Sequence, residues 1–384
     1  MSDSVLECLT AVESARLAST ARTMLRLTVE ERQWLDAGFR STAGTPQLDF
    51  ALGLSGIMTA QAVGSKILGD SELKACALSI HCAILRDAEL DALANSISGF
   101  GAAHGLTGVL WSVHQAGLIC GVSGLDRDVI EECLLAALSA WQTGHQWDVV
   151  SGAAGGLNAA HSFGIPATAQ GLRILEGACQ ASLGSGSALD IGMAHGLAGL
   201  VAVLARGGRC RPEVLRASVA FLESNARSDG SRGVFPSEAG SSRVARSKFG
   251  WCYGDLSVCY ALAMAATVLE DYDLLNRVCI YLRSSLDDRG PANEGVRTLG
   301  ICHGLAGGAH MLLRLWQLTR FPFLADEARR WMLGLCDACE RVEPDGMSLI
   351  YGRSGVALSL LGALGQTNWD APLGMGYPLS GLSG

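Results

Sequence analysis

Gly196-Leu197-Ala198-Gly199, with the uncharged run Leu200-Val201-Ala202-Val203-Leu204 behind it, is one copy of a pattern that returns along the whole chain. Upstream stand Gly53-Leu54-Ser55-Gly56, Gly105-Leu106-Thr107-Gly108 and Gly152-Ala153-Ala154-Gly155. Downstream stand Gly304-Leu305-Ala306-Gly307 and Gly352-Arg353-Ser354-Gly355. Gly254-Asp255-Leu256-Ser257 fills the slot between them with its second glycine lost. Successive first glycines lie 52, 47, 44, 58, 50 and 48 residues apart. Seven copies near one period signify a repeat architecture.

Each copy has two parts. The run after the glycines, such as Val356 to Leu361, carries almost no charge and reads as a helix buried on all sides. A more charged, amphipathic stretch follows, such as Leu125 to Ala140 or Pro212 to Asn225, and reads as a helix with one face in water. Seven such pairs fit a closed ring with an inner and an outer layer. The expected fold is all-α, a double-layered α/α toroid of about seven helix-pair repeats, forming a single domain over 1–384. Residues 1–46 read as a helical lead-in, with helical periodicity from Arg22 to Leu35 and a loop from Ser41 to Pro46. Asn225 to Ser247 is the one long loop, either a lid or substrate-binding edge or a plain insertion.

Bulk composition narrows the function. Of 384 residues, 49% are hydrophobic and 17% charged, which excludes a disordered chain. Net charge is −8 with no basic stripe, which argues against nucleic acid as a partner. Ala92 to Leu125 lacks Lys, Arg, Asp and Glu and is long enough to cross a bilayer. It also holds two histidines and is one copy of the repeat, so it reads as buried in protein rather than membrane-spanning. The acidic start has no signal-peptide pattern, and thirteen cysteines lack framework spacing. Reduced thiols and a cytoplasmic location are expected.

Inner-helix starts lie at one end of such a ring, so side chains just before each glycine pair converge on one mouth. His104, Asp148, His195, Cys252, Tyr253, Cys302 and His303 cluster there. Cys252 and Cys302 occupy the same slot in their repeats, and His303 adjoins the second. Two thiolates and an imidazole suit Zn²⁺ and leave a fourth corner open, as a catalytic site requires. The other cysteines read as small buried hydrophobes. Cys336 and Cys339 have metal-like spacing but lie on an amphipathic outer helix without a histidine. His104 and His195 each stand directly before a glycine; for His104 a place in the packed core is the expectation. Asp148, in an apolar run, needs a partner such as a facing His or Lys. Lys248 and Tyr253 flank Cys252 and can donate to a developing anion.

The GxxG slots, His195-Gly196, Trp251-Cys252-Tyr253-Gly254 and Cys302-His303-Gly304 together resemble the lanthionine synthetase C-like cyclases. The likeness covers roughly residues 40 to 365. It implies a double ring of helices, zinc held by Cys252, Cys302 and His303, a catalytic His at His195, its acidic partner at Asp148, and the tyrosine after the first zinc cysteine at Tyr253. Two departures stand out: Lys248 where the family has Arg, and Leu256-Ser257 where it has Pro-Gly. Lys keeps the charge but not the forked geometry. With no kinase-like or dehydratase region before the ring, the stand-alone type is implied. The implied reaction adds a peptide cysteine to dehydroalanine or dehydrobutyrine in the same dehydrated precursor peptide, closing a lanthionine or methyllanthionine ring. A leader-bearing precursor is the implied partner, with a dehydratase and a transporter as further partners and peripheral membrane association through them. Alternatives are addition of glutathione to dehydrated residues in proteins, and a non-catalytic scaffold for a leader peptide and a dehydratase. A carbohydrate or prenyl enzyme on a helical ring needs paired carboxylates or a phosphate site, and neither is evident.

Overall fold

The computed structural model describes residues 8–30, 48–87, 100–122, 125–141, 147–163, 168–184, 189–208, 210–227, 233–241, 247–287, 289–292 and 298–376. Seven inner helices each begin at a repeat motif: α2 (Leu54–Leu68), α4 (Leu106–Cys120), α6 (Ala153–Ser162), α8 (Leu197–Arg206), α10 (Asp255–Leu269), α12 (Leu305–Thr319) and α14 (Arg353–Leu364). They are buried nearly all round, as their uncharged sequences require. Each packs on the next, and α14 packs back on α2, so the inner layer closes. Six outer helices follow their inner partners: α3 (Ser71–Asp87), α5 (Arg127–Trp141), α7 (Thr168–Gly184), α9 (Pro212–Ser224), α11 (Tyr272–Leu286) and α13 (Pro322–Cys339). The seventh outer helix comes from the other end of the chain. α1 (Ala11–Glu30) lies against α14 and α13, held by Arg16 to Asp337 and Glu340 and by Arg329 to Glu13. The chain is thus a double-layered α/α toroid. The helix expected to run on to Leu35 ends its described part at Glu30, and the loop expected over 41–46 lies outside the described residues.

The glycine pairs have one physical cause. The segment before each inner helix folds back along its first turn and satisfies amides that have no partner within the helix. Leu305, Ala306 and Gly307 donate to the carbonyls of Thr298, Leu299 and Gly300, and Leu197 and Gly199 do the same to Asp190 and Gly192. The close approach leaves no room for a side chain. A Cβ on Gly108 or Gly355 would overlap the carbonyl oxygen of Ala102 or Leu349. The fifth repeat solves the problem differently. Gly254 takes φ +95°, a conformation that favours glycine, and Ser257 bonds its carbonyl at 2.9 Å.

The residues two before each first glycine form a hoop. The Ala51 amide donates to the Ala103 carbonyl at 2.9 Å, Ala103 to Val150 at 3.1 Å, Val150 to Ala194 at 3.3 Å, and Ala194 to Cys252 at 3.1 Å. Cys252 donates to Cys302 at 2.9 Å, Cys302 to Ile350 at 3.2 Å, and Ile350 back to Ala51 at 3.0 Å. This girdle defines the rim of the mouth.

Beneath the rim, residues 366–376 enter the ring. Asp370 is fully buried and bonds His310 Nε2 at 2.8 Å and Arg314 at 2.6 Å, both on α12. Asn158 of α6 donates to the Ala371 carbonyl and Arg206 of α8 to that of Met375. Trp251 Nε1 donates to the Leu373 carbonyl at 2.9 Å. The tail thereby lies directly under the segment that carries Cys252. No described helix is long and apolar enough to cross a membrane. Of the uncharged run 92–125, the part from Leu106 to Cys120 is inner helix α4; residues 92–99 and 123–124 lie outside the described residues.

Candidate metal centre

Repeats five and six meet where Cys252 and Cys302 stand, two links of the girdle joined by their own backbone bond. The next residue, His303, is exposed on the rim. The ligand atoms of Cys252, Cys302 and His303 all lie within 4.8 Å of one another, the single such group of three among the described residues. Cys336 and Cys339 stay on outer helix α13, away from it. The two thiols act on one another. Cys302 is drawn toward thiolate by the Cys252 S–H, against its burial, with help from His303 and Lys248; Cys252 is pushed up by Cys302 and by burial. Such a donor set, two soft sulfurs and an imidazole with one thiol drawn toward thiolate, fits a zinc ion.

Lys248 is exposed, with its Nζ 4.8 Å from the centroid of the Tyr253 ring. Tyr253 is half-buried, and its hydroxyl bonds Asp190. Burial first, then that carboxylate, push the phenol above its ordinary range. Burial raises Asp190 as well, opposed by the Gly192 amide at 2.8 Å and by Tyr253. Asp190 went unnoticed in the sequence because its role depends on the long loop. Ile191 and Ala239 exchange backbone bonds with Ser237 and Leu189, which brings 189–191 beside the loop. That loop is pinned from the other side by buried Asp255, which accepts from the amides of Val234 and Phe235 and from Ser247 and Ser285. Residues 228–232 and 242–246 of the loop lie outside the described residues.

His195 and Asp148 come from adjacent repeats and meet at 3.3 Å, Nδ1 to Oδ2. The other oxygen of Asp148 accepts the amides of Ser151 at 2.7 Å and Gly152 at 3.2 Å, so the carboxylate is fixed by its own turn. Burial raises its pKa, but His195 and the two amides together bring it below its ordinary value. The Asp148 contact raises His195, with Asp190 and Cys302 adding to the pull and burial opposing it. With 47% of its side chain exposed, the imidazole can exchange its proton with the mouth.

His104 is a correction. It is not in the packed core: its side chain is 40% exposed on the rim, with Nδ1 3.4 Å from Asp49 Oδ1. Asp49 holds the amide of Leu52 at 2.7 Å, so this pair repeats the Asp148–His195 arrangement one repeat pair earlier. Tyr351 is a second residue that the sequence reasoning passed over. It stands directly before Gly352, in the same slot as His303, and its ring meets the His303 imidazole edge-on. The signal was there: the residues just before the first glycines run Leu52, His104, Ser151, His195, Tyr253, His303 and Tyr351. A search for metal ligands alone omits the two tyrosines.

Two comparisons bear on this arrangement. The family model for lanthionine synthetase C-like proteins matches residues 47–373. A solved structure named nisin cyclase superposes with a TM-score of 0.72 at 14% sequence identity, covering 92% of this chain and 96% of that one, which shows a shared fold. The girdle, the inner-helix glycines and the cysteine–cysteine–histidine cluster thus sit in a chain that belongs to the lanthionine synthetase C-like family.

Proposed function

We propose that the chain is a zinc-dependent lanthipeptide cyclase, with Cys252, Cys302 and His303 as metal ligands. The supporting observation is the approach of their three ligand atoms to within 4.8 Å at the rim. Zinc bound there would supply Lewis acidity, holding a peptide thiol as thiolate near neutral pH. The chain's own residues account for the remainder. Attack of the peptide thiolate on the β-carbon of dehydroalanine or dehydrobutyrine leaves an enolate, whose α-carbon needs a proton. His195 carries it on Nε2, because Asp148 occupies Nδ1 and favours the protonated ring. Lys248 and Tyr253 lie beside the same thiols and stabilise the enolate oxygen, Lys248 directly and Tyr253 by turning its hydroxyl from Asp190 to the oxygen as it forms. The product is a lanthionine or methyllanthionine thioether.

The substrate in this reading is a dehydrated precursor peptide, with a dehydratase and a transporter as partners in the same biosynthesis. Purified protein should hold about one zinc per chain, read by elemental analysis. Cys252→Ala and Cys302→Ala should lose metal and ring closure together. Ring closure consumes the peptide thiol, so loss of thiol alkylation, detected by mass, follows it. Full zinc content in the double variant would overturn the ligand assignment. Glutathione adducts on a dehydrated protein, without ring closure on any dehydrated precursor tried, would replace the cyclase reading.

A further inference from the structure

We infer that Tyr351 is a positioning residue of the metal centre, fixing the Cys302 sulfur through its hydroxyl and the His303 imidazole through its ring; this rests on the zinc reading above. Three contacts converge on it. Its hydroxyl lies within reach of Cys302, which adds to burial in pushing the phenol up. Its ring meets His303 edge-on, with centroids 6.5 Å apart and planes at 68°. Its backbone is clamped to the ligand loop: the Cys302 amide donates to the neighbouring Ile350 carbonyl, and the Tyr351 amide donates to Ser348 Oγ at 3.3 Å. The fit is close, since a Cβ on Gly300 would lie 2.6 Å from the Tyr351 Cα. A tyrosine that is 40% exposed contributes little to core burial, and its side-chain contacts are no part of the girdle.

The two halves of the side chain have separable tasks. An O–H donor on a metal-bound thiolate withdraws charge from the sulfur and selects one rotamer of it. A ring standing edge-on to an imidazole limits its rotation, which orients the ring nitrogen that ligates. Partners of this kind, one step removed from the metal, change its affinity by roughly 10- to 100-fold when removed. Tyr351→Phe removes the first task and keeps the second; Tyr351→Ala removes both.

Cobalt(II) is the probe, because its sulfur-to-metal charge-transfer bands report thiolate donation without reference to turnover. In Tyr351→Phe those bands should move to lower energy, with affinity reduced less than about 10-fold. In Tyr351→Ala, affinity measured by competition with a chelator should fall by about 10- to 100-fold. Thermal melts of both variants separate these effects from loss of fold, and if Tyr351→Ala unfolds, the Phe variant's spectrum decides. Bands and affinity unchanged in a folded Phe variant and a folded Ala variant would overturn the role of Tyr351. A wild-type protein that takes up no cobalt would instead remove the metal reading itself.

Discussion

His195 owes its raised pKa first to a residue one repeat away. Asp148 is fixed by two amides of its own turn, so its second oxygen has a single direction in which to act. If His195 is the acid, His195→Asn should retain zinc and fold while slowing ring closure by about 10²- to 10⁴-fold. Asp148→Asn tests the pairing through pH. The carboxylate raises the imidazole's pKa, and an acid must hold its proton to act. Wild-type activity should therefore fall as pH rises through that raised value. In Asp148→Asn the fall should begin at lower pH, visible in the pH profile of kcat/KM. At this scale the sequence was legible wherever residue type alone implied chemistry, as with Cys252, Cys302 and His303. It was not legible where a role comes from contact. Asp190 matters because a loop some fifty residues on returns beside it, and His104 was misjudged because its partner, Asp49, had no visible claim on it.

The inner helices show why glycine, rather than any small residue, marks each start. The returning segment satisfies the first-turn amides only at a distance that a methyl group forbids. Gly355→Ala should cost about 1–3 kcal/mol in chemical denaturation, since the carbonyl it would strike belongs to the girdle segment and cannot yield easily. Gly177→Ala is the control. That glycine lies on the exposed face of outer helix α7, with nothing within 4 Å of where a methyl group would stand, and alanine there should stabilise by about 0.4–1 kcal/mol. The register of the motif in the sequence thus located all seven inner helices. The fifth repeat reads as a defect in sequence, yet there the backbone sign of Gly254 replaces the missing glycine. The role of α1 was hidden for a different reason. An amphipathic N-terminal helix looks like a lead-in until the ring closes and leaves the last inner helix without an outer partner.

Across the whole molecule, buried charge ties segments together: Asp255 does so beside the long loop, and a second group does so inside the ring. Asp370, His310 and Arg314 lie inside the ring and anchor the tail beneath the mouth. Burial raises Asp370, but Arg314 and His310 outweigh it and hold the carboxyl well below the usual range; burial holds His310 below its ordinary value. Both groups are depressed, so the stability they contribute is present at neutral pH and is lost as pH falls. The loss begins near the ordinary imidazole pKa of 6.5, where the unfolded chain starts to take up a proton that the folded chain refuses. Denaturation midpoints should decline on acidification from there. Asp370→Ala should cost about 3–5 kcal/mol at neutral pH, because buried Arg314 loses its counter-charge, its bonds to Gln317 and the Thr367 carbonyl being to neutral groups.

The girdle has a further consequence. A solenoid frays from its end repeats, because each terminal unit lacks one neighbour. A hoop of seven amides has no terminal unit: opening any one bond leaves both flanking residues still tethered the long way round. The seven amide protons of Ala51, Ala103, Val150, Ala194, Cys252, Cys302 and Ile350 should therefore trade with deuterated solvent at one common, slow rate set by global unfolding. Two of those seven belong to the cysteines, so the backbone alone holds the two thiols in register.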